Sequence, residues 1–389
     1  MEQRGGCRID LAYVHYGDQS GVTPHVTAAL RARGHLVRPV CAVGELEPRD
    51  PGTGDRHLTR AVFAHLAAAA LRFGRRAVAH RWNTTYAFDA HSERARRLLR
   101  ALQPAPEVVL QNGALFAPGI PPPLPYVLLV DHTRALAMET REAHDLPPLA
   151  DYGPAWHARE HAVYAGARAL CAFSRRAAES LVRHYGIDAA RVHVVGAGAN
   201  VFPDRPVRAD DGRTILFVGK DFARKGGPVL VEAFRLLRQR VPKARLLVAG
   251  PRKPIALPPG GVFLGPVPIS ELPDVLAIST VFAMPTLREP FGIAFLDAMA
   301  CGVPCVGTLT EAVPEIVQQG ETGLLVPPGD PAALAEALAT LLTDLPRARG
   351  MGLAGRGRVE RGLRWEHVAR RLERALRAAV AGPPAQVAA

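Results

Sequence analysis

Two of the chain's four lysines fall in one nine-residue stretch, Gly219-Lys220-Asp221-Phe222-Ala223-Arg224-Lys225-Gly226-Gly227. The stretch follows an apolar strand pattern at 214–218 and opens a helical pattern at 228–240. Backbone N–H groups and the positive end of a helix dipole are therefore both available to an anion. The remaining 44 of the 48 basic side chains are arginines. Two compact ammonium groups in one loop of such a chain suit a phosphate gripped as a point charge. The G-x-x-x-x-G-K-[ST] spacing of a P-loop is absent, which disfavours a nucleoside-triphosphate hydrolase. Taken alone, the stretch could equally be a solvated strand-to-helix turn.

A second constellation pairs Glu289 with Asp297, eight residues on, across Pro290, Phe291, Gly292 and Ile293. Were the stretch helical throughout, the carboxylates would stand about 80° apart around the axis and roughly 12 Å apart along it. That spacing could hold two hydroxyl-bearing rings of one extended ligand, with the N–H groups of Phe291 and Gly292 between them. An amphipathic helix with an acidic first turn is the alternative. His132 follows the apolar run 126–130, at the strand end where α/β proteins bind ligands; a purely structural histidine would look the same. There is no Asp-x-Asp motif, and no His/Cys/Glu cluster has metal-ligand spacing. We expect neither cofactor nor metal, with lysines doing the electrostatic work of a cation.

The elements that must position these residues are legible as a rhythm. Residues 9–14 read as a strand, 17–21 as a glycine loop containing Gly21, 22–33 as a helix and 36–43 as a second strand. This β-loop-α-β unit opens a doubly wound parallel sheet. Further strands are expected at 107–110, 126–130, 169–173 and 192–195, with a helix at 174–185 and a mostly helical region at 50–100. The rhythm breaks at 200–212, around Pro203, Pro206 and Asp210-Asp211-Gly212, and then restarts. Strands follow at 214–218, 245–249, 262–264, 281–284, 304–307 and 324–326, and helices at 228–240, 270–278, 291–300 and 331–342. The fold class is α/β: two Rossmann-like doubly wound domains facing a central cleft. The expected divisions are an acceptor-binding domain at 1–200, a linker at 201–212, a nucleotide-binding domain at 213–364, a helix at 365–380 that could return to the first domain, and a tail at 381–389.

Composition sets the outer bounds. The 389 residues are 48% hydrophobic and 22% charged, enough to bury a core. The net charge of +12 points to nucleic acid, anionic lipid or a phosphorylated ligand without choosing among them. Aromatics make up 6%, and no nucleic-acid reader motif stands out. No apolar run reaches the roughly 18 residues that span a bilayer, and residues 1–7 lack a signal peptide's apolar core. Five scattered cysteines without a C-x-x-C complete the expectation of a reduced, cytoplasmic protein.

The C-terminal half resembles the nucleotide-sugar-binding domain of the family 4 retaining glycosyltransferases, which have the GT-B fold. The family's Glu-x7-Glu hallmark corresponds to Glu289 and Asp297. The resemblance extends upstream through Gly219–Gly226, Leu264-Gly265-Pro266-Val267 and Met284-Pro285. Downstream it continues through Ala298-Met299-Ala300-Cys301-Gly302-Val303-Pro304, Pro314-Glu315-Ile316-Val317 and Gly323–Asp330. The N-terminal half is similar more weakly, through Ser20-Gly21-Val22, Arg33-Gly34-His35 and the stretch from Phe173 to Val195. The resemblance implies that Lys220 and Lys225 grip the donor diphosphate, with Gly21 admitting it from the other domain. It implies that Glu289 and the N–H groups of Phe291, Gly292 and Ile293 hold the donor sugar, that Asp297 takes the ribose, that Val267 lines the base site, and that His132 faces the sugar at the reaction centre. Three positions depart from the pattern: Asp297 replaces a glutamate, Lys220 stands where arginine is frequent, and Glu311-Ala312 replaces a frequent Gly-Gly.

The expected function is metal-independent, retaining transfer of a hexosyl unit from a nucleoside-diphosphate sugar, with UDP as the first candidate, to a hydroxyl of a small natural product, a saccharide or a lipid. One alternative is a membrane-surface glycolipid glycosyltransferase, because Arg72–Arg81 and Arg94–Arg100 place cationic, Leu/Ala-rich segments in the N-terminal domain. A phosphorylase or synthase acting on polysaccharide, and a basic nucleic-acid-binding protein, are the others. The sequence does not fix the oligomeric state.

Overall fold

The computed structural model describes residues 8–44, 46–47, 58–144, 146 and 148–382. Residues 383–389 of the tail expected at 381–389, and residues 50–57 of the expected helical region, lie outside the described residues, while Ala381 ends the final helix. Two six-stranded parallel sheets account for the strands. The first is built from β1 (Asp10–His15), β2 (Leu36–Cys41), β3 (Val108–Asn112), β4 (Tyr126–Val130), β5 (Ala169–Ala172) and β6 (Val192–Val194), in the order β2-β1-β3-β4-β5-β6. Strands β3, β4 and β5 are buried along their whole length. Helices on both faces allow such continuous apolar runs as Tyr126-Val127-Leu128-Leu129-Val130.

The second sheet uses β7 (Thr214–Val218), β8 (Arg245–Ala249), β9 (Gly261–Gly265), β10 (Val281–Ala283), β11 (Cys305–Thr308) and β12 (Gly323–Val326). Its order is β9-β8-β7-β10-β11-β12. In chain order this is 3-2-1-4-5-6, the dinucleotide-binding arrangement, whose direction reverses between β7 and β10. The ligand crevice of such a sheet lies beyond the C-terminal ends of those two strands.

The chain crosses between the sheets twice, at 195–213 and again near Leu363. The final helix, Trp365–Ala381, packs against helix Val22–Ala32 and against β3, β4 and β5 of the first sheet. Val368, Leu372 and Leu376 are fully buried there. Arg371 Nε donates to the Val195 carbonyl at 2.6 Å, and Arg33 pairs with Glu373. Three such aliphatic side chains are worth about 1.5–3 kcal/mol each in burial.

Helix Leu345–Gly362 departs from expectation, since the sequence gives no helical signal there. Its glycines are the reason for both the missing signal and the packing. A Cβ at Gly352 would lie 2.1 Å from the Gly302 carbonyl oxygen, and one at Gly355 would lie 3.1 Å from Met299. The small residues let this helix press onto helix Ile293–Ala300.

Candidate active site

The loops after β7 and β10 meet at the reversal point of the second sheet. Leu287 N–H donates to the Arg224 carbonyl at 3.0 Å, and Arg224 Nη1 donates to the Arg288 carbonyl at 2.7 Å. Gly226 makes the approach feasible: its φ is +74°, and a Cβ there would lie 1.8 Å from the Pro285 carbonyl oxygen. This closure brings Lys225 Nζ to 2.6 Å from Glu289 Oε2, with Arg224 Nη1 at 3.7 Å from the same oxygen. The side chains of Lys225 and Glu289 are 15% and 6% exposed. Burial holds the Lys225 ammonium below its ordinary pKa, and Glu289 opposes that shift. Lys220 lies on the same loop, exposed, and has no ion-pair partner among the described residues.

Glu289 is not on the helix that follows it. Gly292, at φ +106°, turns the chain, and the helix begins at Ile293. The geometry calculated above for a continuous helix therefore does not hold. Phe291 is buried in the turn and meets Phe173 of the first domain edge-on, ring centroids 5.7 Å apart. No side chain caps the helix, and although Phe295 N–H donates to the Gly292 carbonyl at 2.9 Å, the helix start presents its positive dipole end to a polar ligand.

Asp297, one turn further along, is engaged elsewhere. Its Oδ1 accepts from Asn200 N–H at 2.6 Å and from Val201 N–H at 3.1 Å, and burial raises its carboxyl to about 7. Asn200 in turn donates from Nδ2 to the Ser20 carbonyl at 2.7 Å and accepts from Trp365 Nε1 at 3.3 Å. It thus ties together the first loop, the crossover and the final helix. Gly21 borders this node at φ +87°, where a Cβ would lie 2.6 Å from Asn200 Nδ2. The sequence offered no motif to mark Asn200, whose role depends on contacts with residues 20, 297 and 365.

His132 extends from the end of β4 across the cleft. Its Nε2 is 2.9 Å from Glu311 Oε1, and Glu311 Oε2 accepts from the Glu289 N–H. Burial would raise the Glu311 carboxyl, but hydrogen bonds from His132, Thr140 and Glu289 N–H together hold it below the usual range. Asp131, next to His132, is pushed up by burial. A second glutamate from the same loop also crosses: Glu315 accepts from the N–H groups of Arg175 and Arg176 at 2.9 and 3.0 Å, at the start of helix Arg175–Tyr185. The structure thus gathers Lys225, Glu289, Phe291, Gly292, Ile293 and His132 into one cleft, while Gly21 and Asp297 meet at Asn200. Val267 stands beyond β9, half-buried against the second core.

The second half of the chain carries the sequence likeness to known proteins. Residues 212–344 match the model described as "Glycosyl transferases group 1". This segment is similar to the group 1 glycosyl transferases. Two relatives show how far the likeness runs. The chain is 36% identical to a D-inositol 3-phosphate glycosyltransferase of Corynebacterium efficiens, over 42% of this chain and 46% of that protein. It is 35% identical to a GDP-mannose-dependent alpha-(1-6)-phosphatidylinositol monomannoside mannosyltransferase of Mycolicibacterium smegmatis, over 39% and 43%. The matches span about half the length of those relatives. The fold likeness is wider. The sucrose-phosphate synthase of Thermosynechococcus elongatus superposes with a TM-score of 0.68 at 20% identity, covering 95% of this chain and 98% of that one. The chain has the GT-B fold.

Within the glycosyl transferase domain, the matched segment contains every C-terminal residue of the cleft, from Lys220 through Glu289 to Glu315. His132 and Gly21 lie outside it. Among the described residues, no group of three or more His, Cys, Asp or Glu is placed to hold a metal ion. No described helix is long and apolar enough to cross a membrane.

Proposed function

We propose that the protein is a cytoplasmic, metal-independent retaining glycosyltransferase that moves a hexosyl unit from a nucleoside-diphosphate sugar to an acceptor hydroxyl. The observation that carries this reading is the Lys225–Glu289 pair at the reversal point of the second sheet, beside an uncapped helix start. Lys225, with Lys220 from the same loop, faces the diphosphate and stabilises the charge that develops on the leaving phosphate. Glu289 and the N–H groups of Phe291, Gly292 and Ile293 take the sugar hydroxyls. The family resemblance gives Gly21 the diphosphate approach, Asp297 the ribose and Val267 the base, with Gly21 and Asp297 meeting at Asn200. The sugar C1–O bond to phosphate breaks as the C1–O bond to the acceptor forms on the same face. The acceptor proton passes to the departing phosphate, so no separate base is required. Closure of the two domains excludes water, which would otherwise hydrolyse the donor.

A UDP-sugar is the first candidate donor, from the family resemblance; a GDP-sugar is the second, given the GDP-mannose-dependent relative. Thermal-shift screening of UDP-, GDP- and ADP-sugars, followed by turnover of the best binder in the presence of EDTA, tests the reading. No shift with any of them, or turnover abolished by EDTA and restored by a divalent ion, contradicts it.

A specific observation favours a lipid among the acceptor classes. Helix Arg60–Phe73 and the turn after it expose Phe63 (60%), Leu71 (90%) and Val78 (73%), with Arg72, Arg75 and Arg76 alongside. An apolar, cationic surface of this kind suits peripheral contact with an anionic bilayer. Co-sedimentation with anionic but not zwitterionic vesicles at low salt is the expected result; no binding to either removes the lipid acceptor.

A further inference from the structure

Glu311 stands where the resembling family frequently has glycine, and the backbone there still has the conformation glycine favours, with φ +43°. A residue with a Cβ is disfavoured in that left-handed region, so the surroundings must hold it there. The Glu311 side chain is only 1% exposed, and both of its carboxylate oxygens are occupied. One faces His132 Nε2 at 2.9 Å across the domain boundary; the other receives the N–H of Glu289. The two partners lie 179 and 22 residues away in sequence. Glu289 is the residue that the glycosyl-transfer reading puts on the donor-sugar hydroxyls, and His132 is the one that the family resemblance puts facing that sugar.

We propose that Glu311 is a positioning residue that sets the tautomer of His132 and locks the imidazole to the Glu289 loop, a role that rests on that reading. An ionised carboxylate can only accept hydrogen bonds. Nε2 of His132 therefore carries the hydrogen it donates to Glu311, and Nδ1 is the one ring nitrogen left for a substrate hydroxyl. Because one carboxylate holds both groups, the imidazole and the Glu289 backbone keep a fixed separation whenever the cleft is closed. Opening the cleft breaks the link and frees the ring.

The test uses the full-length chain with ring-15N-labelled histidine, the His132 signal being assigned by its loss in His132→Asn. The wild type should show a single tautomer with hydrogen on Nε2. Glu311→Gly relaxes the backbone and removes the acceptor; the His132 signal should then move to a mixture of tautomers without loss of thermal stability. Glu311→Gln cannot accept from both donors, because one of its terminal atoms is an NH2. In both variants kcat should fall on the order of 10- to 100-fold, with KM for the donor within about 3-fold. The double variant Glu311→Gly/His132→Asn should lose no more activity than His132→Asn alone. An unchanged tautomer in Glu311→Gly, or losses that multiply in the double variant, would overturn the proposal. The NMR signal needs no turnover. An inactive wild type with the expected tautomer would count against glycosyl transfer while leaving the positioning geometry intact.

Discussion

Lys225 Nζ and Glu289 Oε2 stand 2.6 Å apart at the floor of the cleft, although the two residues are 64 apart in sequence. The cation assigned to the diphosphate is thus held by the carboxylate assigned to the sugar. A donor entering the cleft exchanges one strong contact for two, with phosphate on the ammonium and sugar hydroxyls on the carboxylate. The pair keeps both side chains aimed into the cleft while no donor is bound.

Replacing Lys225 with alanine removes the phosphate grip and leaves the buried Glu289 carboxylate with only the more distant Arg224, 3.7 Å away. Turnover should fall by about 10²–10³-fold, the size typical of losing one electrostatic contact to a developing oxyanion. Stability should drop by roughly 3 kcal/mol, as expected when one partner of a buried pair is removed. Steady-state kinetics and urea unfolding of Lys225→Ala measure the two effects separately. Turnover within a few-fold of wild type would remove Lys225 from the diphosphate site.

Asp297 should give the protein an inverted pH response in its linker. Burial raises its carboxyl to about 7, above the roughly 3.9 of an unfolded chain. Between these values the folded state binds more protons than the unfolded one, so this group's stabilising contribution is present below about pH 4 and declines as pH rises through 7. Asp297→Asn should flatten that part of the stability curve, since an amide oxygen still accepts from Asn200 and Val201 N–H without titrating. Chemical denaturation of both proteins from pH 5 to 8 compares the slopes; parallel curves would contradict the assignment.

Gly21→Ala introduces a Cβ within 2.6 Å of Asn200 Nδ2, at a φ of +87° that alanine avoids. A loss of about 1–3 kcal/mol is expected from the backbone alone, together with a larger KM for the donor as Asn200 is displaced. Thermal melts and donor titration check both. An unchanged melting temperature would show that the loop can shift at no cost.

Glu315→Ala removes the carboxylate that spans the domains to the start of helix Arg175–Tyr185. Ser174 still caps Ala177 N–H at 3.1 Å, so the helix itself should persist, with a cost of about 1 kcal/mol. The expected change is a larger radius of gyration without donor and a donor KM raised a few-fold. Small-angle scattering that matches the wild type would assign closure to the other cross-domain contacts.

What the sequence made legible follows the range of each interaction. The strands of the second sheet and the Gly219–Gly227 loop could be read because apolar runs, glycines and lysines are local signals. So could the meeting of Lys225 and Glu289 in one site, since both follow strands of a doubly wound sheet at their C-terminal ends. Glu311 was visible only as a departure from Gly-Gly; nothing near it in sequence indicates His132, 179 residues earlier. Asn200 carries no local pattern at all. Pro290 and the apolar run after it look like a helix start that would include Gly292, whereas its positive φ delays the first turn to Ile293. Helix Leu345–Gly362 gives no sequence signal because glycine is a poor helix former in isolation, and its value there comes from contact with Gly302 and Met299.

The return of Trp365–Ala381 to the first sheet makes the first domain discontinuous. During synthesis the ribosome must complete the entire second domain before it releases the helix that covers β3, β4 and β5. Until then the nascent first domain has an uncovered apolar strip, which a chaperone or a neighbouring chain can occupy. A premature stop between residue 213 and the end of the final helix at Ala381 therefore damages the half of the protein already made.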